Sequence, residues 1–256
     1  MPTTELGPLL AEGKTKKIYA HSSDSTLVYM VNKDDITAGD GARHNLLSGK
    51  SRWSTTTTAN IFELLNQAKI ATHYLRKIDE VTLLVKACKM IPLEQVQRRI
   101  ATGSYLKRHP EISEGTHFAP VLVETFLKDD ANHDPQVWPA DIIRMGLATQ
   151  AEIGRMEEEG RRVFEVLERA WASLDITLVD LKIEFGKDSG GSLLVADVID
   201  NDSWRLWPSG KKELMLDKQI YRNLKEVKEE DLENIANHYA VVADLTTKLK
   251  AHQEIR

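Results

Sequence analysis

From Val179 to Phe185 apolar and charged residues alternate strictly, with Val179, Leu181, Ile183 and Phe185 on one parity and Asp180, Lys182 and Glu184 on the other. A period of two belongs to a β-strand whose two faces differ in character; wound as a helix, the same residues would scatter charge through any core. Lys187-Asp-Ser-Gly-Gly191 is a turn signal, and Ser192–Ile199 reads as the returning strand of a hairpin. A four-residue loop at 188–191 would set Glu184 opposite Val195 and Lys182 opposite Asp197, gathering two carboxylates and a lysine on one face. Paired carboxylates of this kind suit Mg²⁺, which prefers hard oxygens and shares its shell with phosphates and water. The same alternation also describes the solvated face of a half-buried sheet, and the residues alone leave both readings open.

Around this segment the chain reads as mixed α and β. Lys16–Tyr19, Leu27–Val31 and Leu83–Met90 predict strands, interrupted by a helix through Ala59, Phe62, Leu65 and Ala68 that a preceding threonine run would cap. Pro92 predicts a break between a β-rich N-terminal lobe, residues 1–91, and a larger α/β lobe, residues 92–256, ending in a helix over about 231–250. Thr149-Gln-Ala-Glu152 is a capping box, and the amphipathic spacing after it predicts a long helix to Trp171, packed on the sheet of the charged strand. A chain of 256 residues can bury a sizeable core, and its net charge of −5 disfavours a general nucleic-acid surface. The single cysteine, Cys88, excludes an internal disulfide and cysteine-based zinc sites. No apolar run is long enough to span a bilayer and none resembles a signal peptide, so no membrane partner is expected and the expected compartment is the cytosol.

Several local clusters could carry chemistry. Glu12–Tyr19 places Gly13, Lys14 and Lys16 at a strand turn, where they would meet a phosphate or simply form a solvated basic turn. Thr37-Ala-Gly-Asp-Gly-Ala-Arg43 is a ligand loop or a plain tight turn. In Gln97–Arg108, paired arginines precede Gly103-Ser104 and a short helix stopped near Pro110, which suits a phosphate monoester or a capped surface helix. Phe126–Pro135 is densely polar: Lys128 could meet a phosphate and Asp129 a metal or an amine, while His133 is either a general base or a turn residue. Arg205, between Trp204 and Trp207, would be held rigid by stacking, and Lys218 with Arg222 offers further positive charge. An acidic protein with several basic loops and a carboxylate hairpin suits a Mg-nucleotide and a second phosphorylated substrate.

Five motifs in order, EGKTKKIY, TAGDGA, RRIATGS, KDDANHDP and DLKIEFG…ADVIDNDSWRLW, run from about Leu10 to Arg222 and together resemble the SAICAR synthetase family. The resemblance implies a two-lobed α/β (α+β) fold with a kinase-like or ATP-grasp-like nucleotide cleft. It also implies an ADP-forming amide ligation: ATP activates the carboxylate of the imidazole nucleotide CAIR as an acyl phosphate, and the amine of L-aspartate displaces it to give SAICAR. ATP and Mg²⁺ are the implied cofactors. Lys14 and Lys16 would line the ATP phosphates, the stretch from Lys89 and Met90 to Glu94 would pass the adenine, and Glu184 and Asp197 would carry the metal. Arg98 and Ser104, assisted by Arg205 and Lys218, would hold the phosphoribosyl group. Lys128 and Lys182 would stabilise phosphoryl charge, with Asp180 and Asp129 as candidate proton acceptors for the amine. Asp40, Gly41 and Ala42 would shape the imidazole or aspartate side. The run ADVIDNDSWRLWPSG looks most like the animal form, in which this domain precedes an AIR carboxylase domain that is expected to be absent here; a homo-oligomer is also admitted. Two rivals stay in view, a small-molecule kinase, against which the lack of a His-Arg-Asp catalytic loop counts, and a non-catalytic nucleotide-binding module.

Overall fold

The computed structural model describes residues 6–39 and 41–253. The chain opens with three antiparallel strands, β1 (Leu6–Glu12), β2 (Lys16–His21) and β3 (Leu27–Asn32), in which Tyr19 stands opposite Tyr29. A small hairpin follows, β4 (Asp35–Ala38) and β5 (Arg43–Leu46), with the Gly-rich loop at its tip. Helix α1 (Lys50–Gln67) comes next, then β6 (Tyr74–Lys77) and β7 (Thr82–Lys86), which complete a five-stranded sheet in the order β1-β2-β3-β7-β6.

The threonine run does not cap α1. The helix starts earlier, after Gly49 in a left-handed conformation (φ 85°), and Thr55, Thr57 and Thr58 lie inside it, buried. Thr55 satisfies its hydroxyl by donating to the Ser51 carbonyl one turn back, 2.7 Å away, which is how a threonine is tolerated in a buried helix.

The second sheet begins with β8 (Lys89–Ile100). After the short α2 (Ser104–Arg108), β9 (His117–Leu127) and α3 (Pro139–Arg144), the long α4 (Gln150–Ala172) leads into β10 (Ile176–Lys187), β11 (Leu193–Ala196) and β12 (Trp204–Pro208). The order is β11-β10-β8-β9, and β12 pairs with β10 beside β11, so the charged strand is central. Pro92 makes no break. It sits inside β8, where Glu184 pairs with Glu94 but Gly186 pairs with Met90, a bulge that absorbs a residue lacking a backbone donor.

The capping box forms as expected: the Glu152 amide donates to the Thr149 hydroxyl (3.3 Å) and the Thr149 amide to the Glu152 carboxylate (2.8 Å). Helix α4 packs Val163, Phe164, Leu167 and Trp171 against the back of the second sheet, and one apolar cluster joins this layer to α1 and the first sheet. The chain ends with α5 (Gln219–Asn223) and α6 (Glu229–Gln253). Helix α6 returns to α1, where the Asn60 side-chain amide donates to Thr246 at 3.1 Å, so the last helix crosses back over the division expected near residue 91. A separate apolar cluster of Ile36, Leu47, Tyr221, Ile235 and Tyr239 unites the β4–β5 hairpin, α5 and α6. Among the described residues no helix is long and apolar enough to cross a membrane.

Candidate active site

Between the two sheets lies a cavity of 1320 Å³. Its floor follows from strand register. Asp180, Lys182 and Glu184 of β10 stand opposite Arg98, Val96 and Glu94 of β8, and all six line the cavity. The intervening Gln95 and Gln97 face the other way and pack beneath Gly160 of α4. The period-two pattern therefore encodes a polar floor and an apolar back, and the polar face is buried in a cleft.

The carboxylates come together by a different route from the one expected. The hairpin loop holds one residue more, 188–192, closed by Asp188, whose Oδ1 accepts from the amides of Gly190 (3.0 Å) and Ser192 (2.9 Å). Glu184 therefore faces Ala196, and a regular strand would turn Asp197 to the opposite side. Asp197 instead has φ 69°, a left-handed conformation that aspartate adopts more readily than most residues, and its side chain enters the cavity.

Lysines surround both acids. Lys128 Nζ lies 2.7 Å from Glu184 Oε2, Lys182 Nζ lies 2.6 Å from Glu94 and 3.3 Å from Glu184 Oε1, and Lys16 pairs with Asp197. Burial, then the neighbouring Asp197, pushes the Glu184 carboxyl above the usual range despite Lys182 and Lys128. Burial also works against charge on Asp197, but Lys16, then Lys182 and Lys128, outweigh it and hold Asp197 well below the usual range. Burial disfavours the Lys182 ammonium, yet Glu184 and Glu94 keep it above the ordinary lysine value.

Among the described residues no group of three or more His, Cys, Asp or Glu forms a metal cage. Glu184, which is buried, and the half-buried Asp197, close enough to act on its ionisation, nevertheless fit Mg²⁺, which commonly takes one or two protein carboxylates and completes its shell with phosphates and water.

Farther along the floor, Arg98 and Arg205 converge on Asp180. Arg98 Nη1 donates to Asp180 Oδ2 at 2.7 Å and its Nε to Glu124 at 2.5 Å, while Arg205 pairs with the same Asp180 oxygen. Gly103 makes room for this: with φ 61°, a Cβ there would lie 2.5 Å from Arg205 Nη2. Ser104, at the start of α2, lines the cavity beside them. Trp204 and Trp207 are core residues, and Trp204 meets Trp171 edge-on at 5.3 Å. Asp180 and Gln219 hold Arg205; the expected stacking between tryptophans is not what fixes it.

The third wall is the β4–β5 hairpin with α5. Arg43 donates to the Tyr221 and Leu224 carbonyls (2.7 and 2.6 Å), so its charge closes the end of α5. Lys218, Gln219 and Arg222 line the cavity from this side, and Asp202 holds Lys218 at 3.2 Å.

A family model described as SAICAR synthetase matches residues 9–238. The chain belongs to the SAICAR synthetase family. It is 57% identical to a phosphoribosylaminoimidazole-succinocarboxamide synthase from Herpetosiphon aurantiacus, over 96% of this chain and 100% of that protein. It is 45% identical to a probable multifunctional protein, ADE2, of Caenorhabditis elegans, over 96% of this chain but only 60% of that protein. Among solved structures, the phosphoribosylaminoimidazole-succinocarboxamide synthase of Ehrlichia chaffeensis superposes with TM-score 0.84 at 29% identity, covering 94% of this chain and 98% of that one. A SAICAR synthetase (Type-2) in complex with ADP gives TM-score 0.80 at 34% identity, covering 90% and 96%.

Within this SAICAR synthetase fold, Lys14, Lys16, Gly41, Ala42, Glu94, Arg98, Ser104, Lys128, Asp180, Lys182, Glu184, Asp197, Arg205 and Lys218 share the one cavity. Lys89 and Met90 are exposed at the start of β8 and do not line it, and Glu94, read with them as an adenine neighbour, pairs with Lys182. Asp129 lies outside the lining because it builds a turn, accepting from the Asn132 side chain at 2.7 Å; its neighbours Asp130 and Asp134 line the cavity in its place. His133 lines the mouth in a left-handed turn conformation (φ 58°). Asp40 lies outside the described residues. Asp202 was missed: it sits in the quoted run ADVIDNDSWRLW, but nothing in its spacing separates it from Asp200, which is buried beside it.

Proposed function

We propose that the chain catalyses ADP-forming amide ligation in de novo purine biosynthesis, joining L-aspartate to the carboxylate of CAIR with ATP to give SAICAR, ADP and phosphate. The observation that carries this reading is the meeting, in one cavity, of a lysine-rich carboxylate pair and a separate two-arginine cluster. These are the needs of a triphosphate at one end and a phosphorylated substrate at the other.

A carboxylate is a poor electrophile, so amide formation in water requires prior activation, here as an acyl phosphate. Phosphoryl transfer to CAIR asks for charge neutralisation and in-line placement more than for a protein nucleophile. Lys14 and Lys16 reach the triphosphate from the first sheet; Lys128 and Lys182 reach the transferring group from the second. Glu184 and Asp197 would hold Mg²⁺, which when bound neutralises phosphate charge. Arg98, Arg205, Ser104 and Lys218 hold the phosphoribosyl group. Asp180, locked between two guanidiniums, serves to aim Arg98 and Arg205 and is poorly placed to take the amine proton. The first sheet, with Lys14 and Lys16 at its β1–β2 turn, forms the nucleotide side, and the second sheet the substrate and metal side. The expected location is the cytosol.

The test is ADP release with ATP, CAIR or L-aspartate omitted in turn. Sustained release is expected only with all three. Turnover without L-aspartate that accumulates a phosphorylated product would favour a kinase, and no turnover with all three would overturn the proposal.

A further inference from the structure

We infer that Tyr239, on α6 outside the cavity, is a positioning residue that fixes Asp202 and through it presents Lys218 to the anionic substrate. The inference rests on the ligase reading and extends the site to a helix that contributes nothing to the cavity lining.

Tyr239 is 1% exposed and packs in the smaller apolar cluster with Ile36, Leu47, Tyr221 and Ile235. Its hydroxyl crosses out of that cluster and donates to Asp202 Oδ1. The other oxygen of Asp202 receives two ammonium groups, Lys218 Nζ at 3.2 Å and Lys50 Nζ at 3.4 Å. Lys50 is 2% exposed, and its Nζ lies 5.4 Å from the centroid of the Tyr239 ring, so the same tyrosine meets this charge network with its hydroxyl and with its face.

The geometry separates a role in packing from a role in aiming. A carboxylate that binds cations through one oxygen can pivot about its Cβ–Cγ bond, and a lysine side chain follows it with little resistance. A hydrogen bond on the second oxygen removes that pivot. The Asp202 amide also donates to Asp200 Oδ1 at 2.9 Å, so backbone and side chain are fixed from two directions. Asp202 and Lys218 both line the cavity, whereas Lys50 does not. The network thus has an anchor in the core and a tip that lines the cavity, and Lys218, itself largely buried, is the tip. Burial lowers the proton affinity of Lys218, and Asp202 is the neighbour that opposes this, so the same contact that aims the ammonium also helps to keep it charged.

The test is steady-state kinetics of Tyr239→Phe with a double-mutant cycle against Lys218→Met. Removal of the hydroxyl should raise KM for CAIR about tenfold, the size of one charge-assisted hydrogen bond, and leave KM for ATP unchanged. In the cycle the double variant should be little worse than Lys218→Met alone. Unchanged KM for CAIR, an equal rise for ATP and CAIR, or additive effects in the cycle would each overturn the inference, because a tyrosine that only fills the core predicts those results. Should Tyr239→Phe fail to fold, Asp202→Asn takes its place in the same cycle and is judged by the same outcomes. Failure of the ligase reading shows separately, as wild-type protein that turns over no CAIR, and would overturn both.

Discussion

Glu184 and Asp197 stand in a place where burial disfavours their charges, and the lysines that oppose this, Lys16, Lys128 and Lys182, are the groups a triphosphate would engage. Arrival of a nucleotide would therefore exchange partners within a network that already exists, freeing carboxylate oxygens for a cation as the lysines turn to phosphate. Glu184→Gln and Asp197→Asn keep the shape of each side chain but remove its charge. Each is expected to lower ADP release by at least about a hundredfold while the far-UV circular dichroism stays that of the wild type; activity near wild type in both would remove the metal seat from the proposal. At this scale residue type was legible and placement only partly so. Acid-base-acid alternation located Asp180, Lys182 and Glu184 correctly, since a strand leaves no choice of face. Asp197 reaches the same cavity only because its own backbone turns left-handed, and no periodicity announces that. Asp129 builds the turn while Asp130 and Asp134 line the cavity, a division that sequence does not carry because adjacent acids in a turn look alike until the turn's hydrogen bonds are known.

At the scale of elements, α4 was the most readable. Its capping box and apolar stripe act locally, and both are present in the structure. Glu152 takes part in the cap and also pairs with Lys187 of β10, tying the helix start to the end of the central strand. Lys187, then the Thr149 amide, draws the Glu152 carboxyl from its ordinary 4.5 down to about 2. A lowered folded-state value means that this stabilisation is complete above about 4.5 and is lost as pH falls toward 2. Glu152→Gln should cost about 1 kcal/mol near neutral pH, the size of one helix cap, and its urea midpoint should converge on that of the wild type upon acidification. A gap that persists at pH 2 would show that charge is not the cause. On the back of the sheet, a Cβ at Gly160 would stand 2.0 Å from Gln95 Oε1 and 2.5 Å from Gln97 Nε2, which are hydrogen-bonded to each other at 2.8 Å. Gly160→Ala should destabilise by about 1–3 kcal/mol in urea unfolding; a neutral result would mean the glutamines move aside freely. The elements misjudged were those settled by distant partners. The threonines of α1 look like a cap in isolation, but Asn32 donates to Thr55 from β3 and the helix runs on past them. Pro92 looks like a break because its place in a bulge depends on β10, far along the chain.

Across the whole molecule, ion pairs span the cleft from one sheet to the other: Lys14 with Asp130 at 2.7 Å, and Lys16 with Asp197. A ligand that replaces these contacts with tighter ones stabilises the folded state by mass action. Mg-ADP at about a hundred times its dissociation constant should add roughly 2.7 kcal/mol, read as a rise in Tm, and Glu184→Gln should abolish most of that rise; an equal rise in both proteins would place the nucleotide away from the carboxylates. Two sheets with helices were legible because short-range pattern dictates strands and helices. The return of α6 to α1 was not, since an amphipathic stripe states that a helix must be covered but not by what. That return has a consequence of its own. The hairpin, α5 and the first half of α6 share a small apolar cluster, while Val242 and Leu249 anchor the rest of α6 in the principal one, so the hairpin with α5 can breathe against a fixed helix while the sheets stay folded. One wall of the reaction chamber would then double as its door, admitting substrates through motions too slight to disturb the floor.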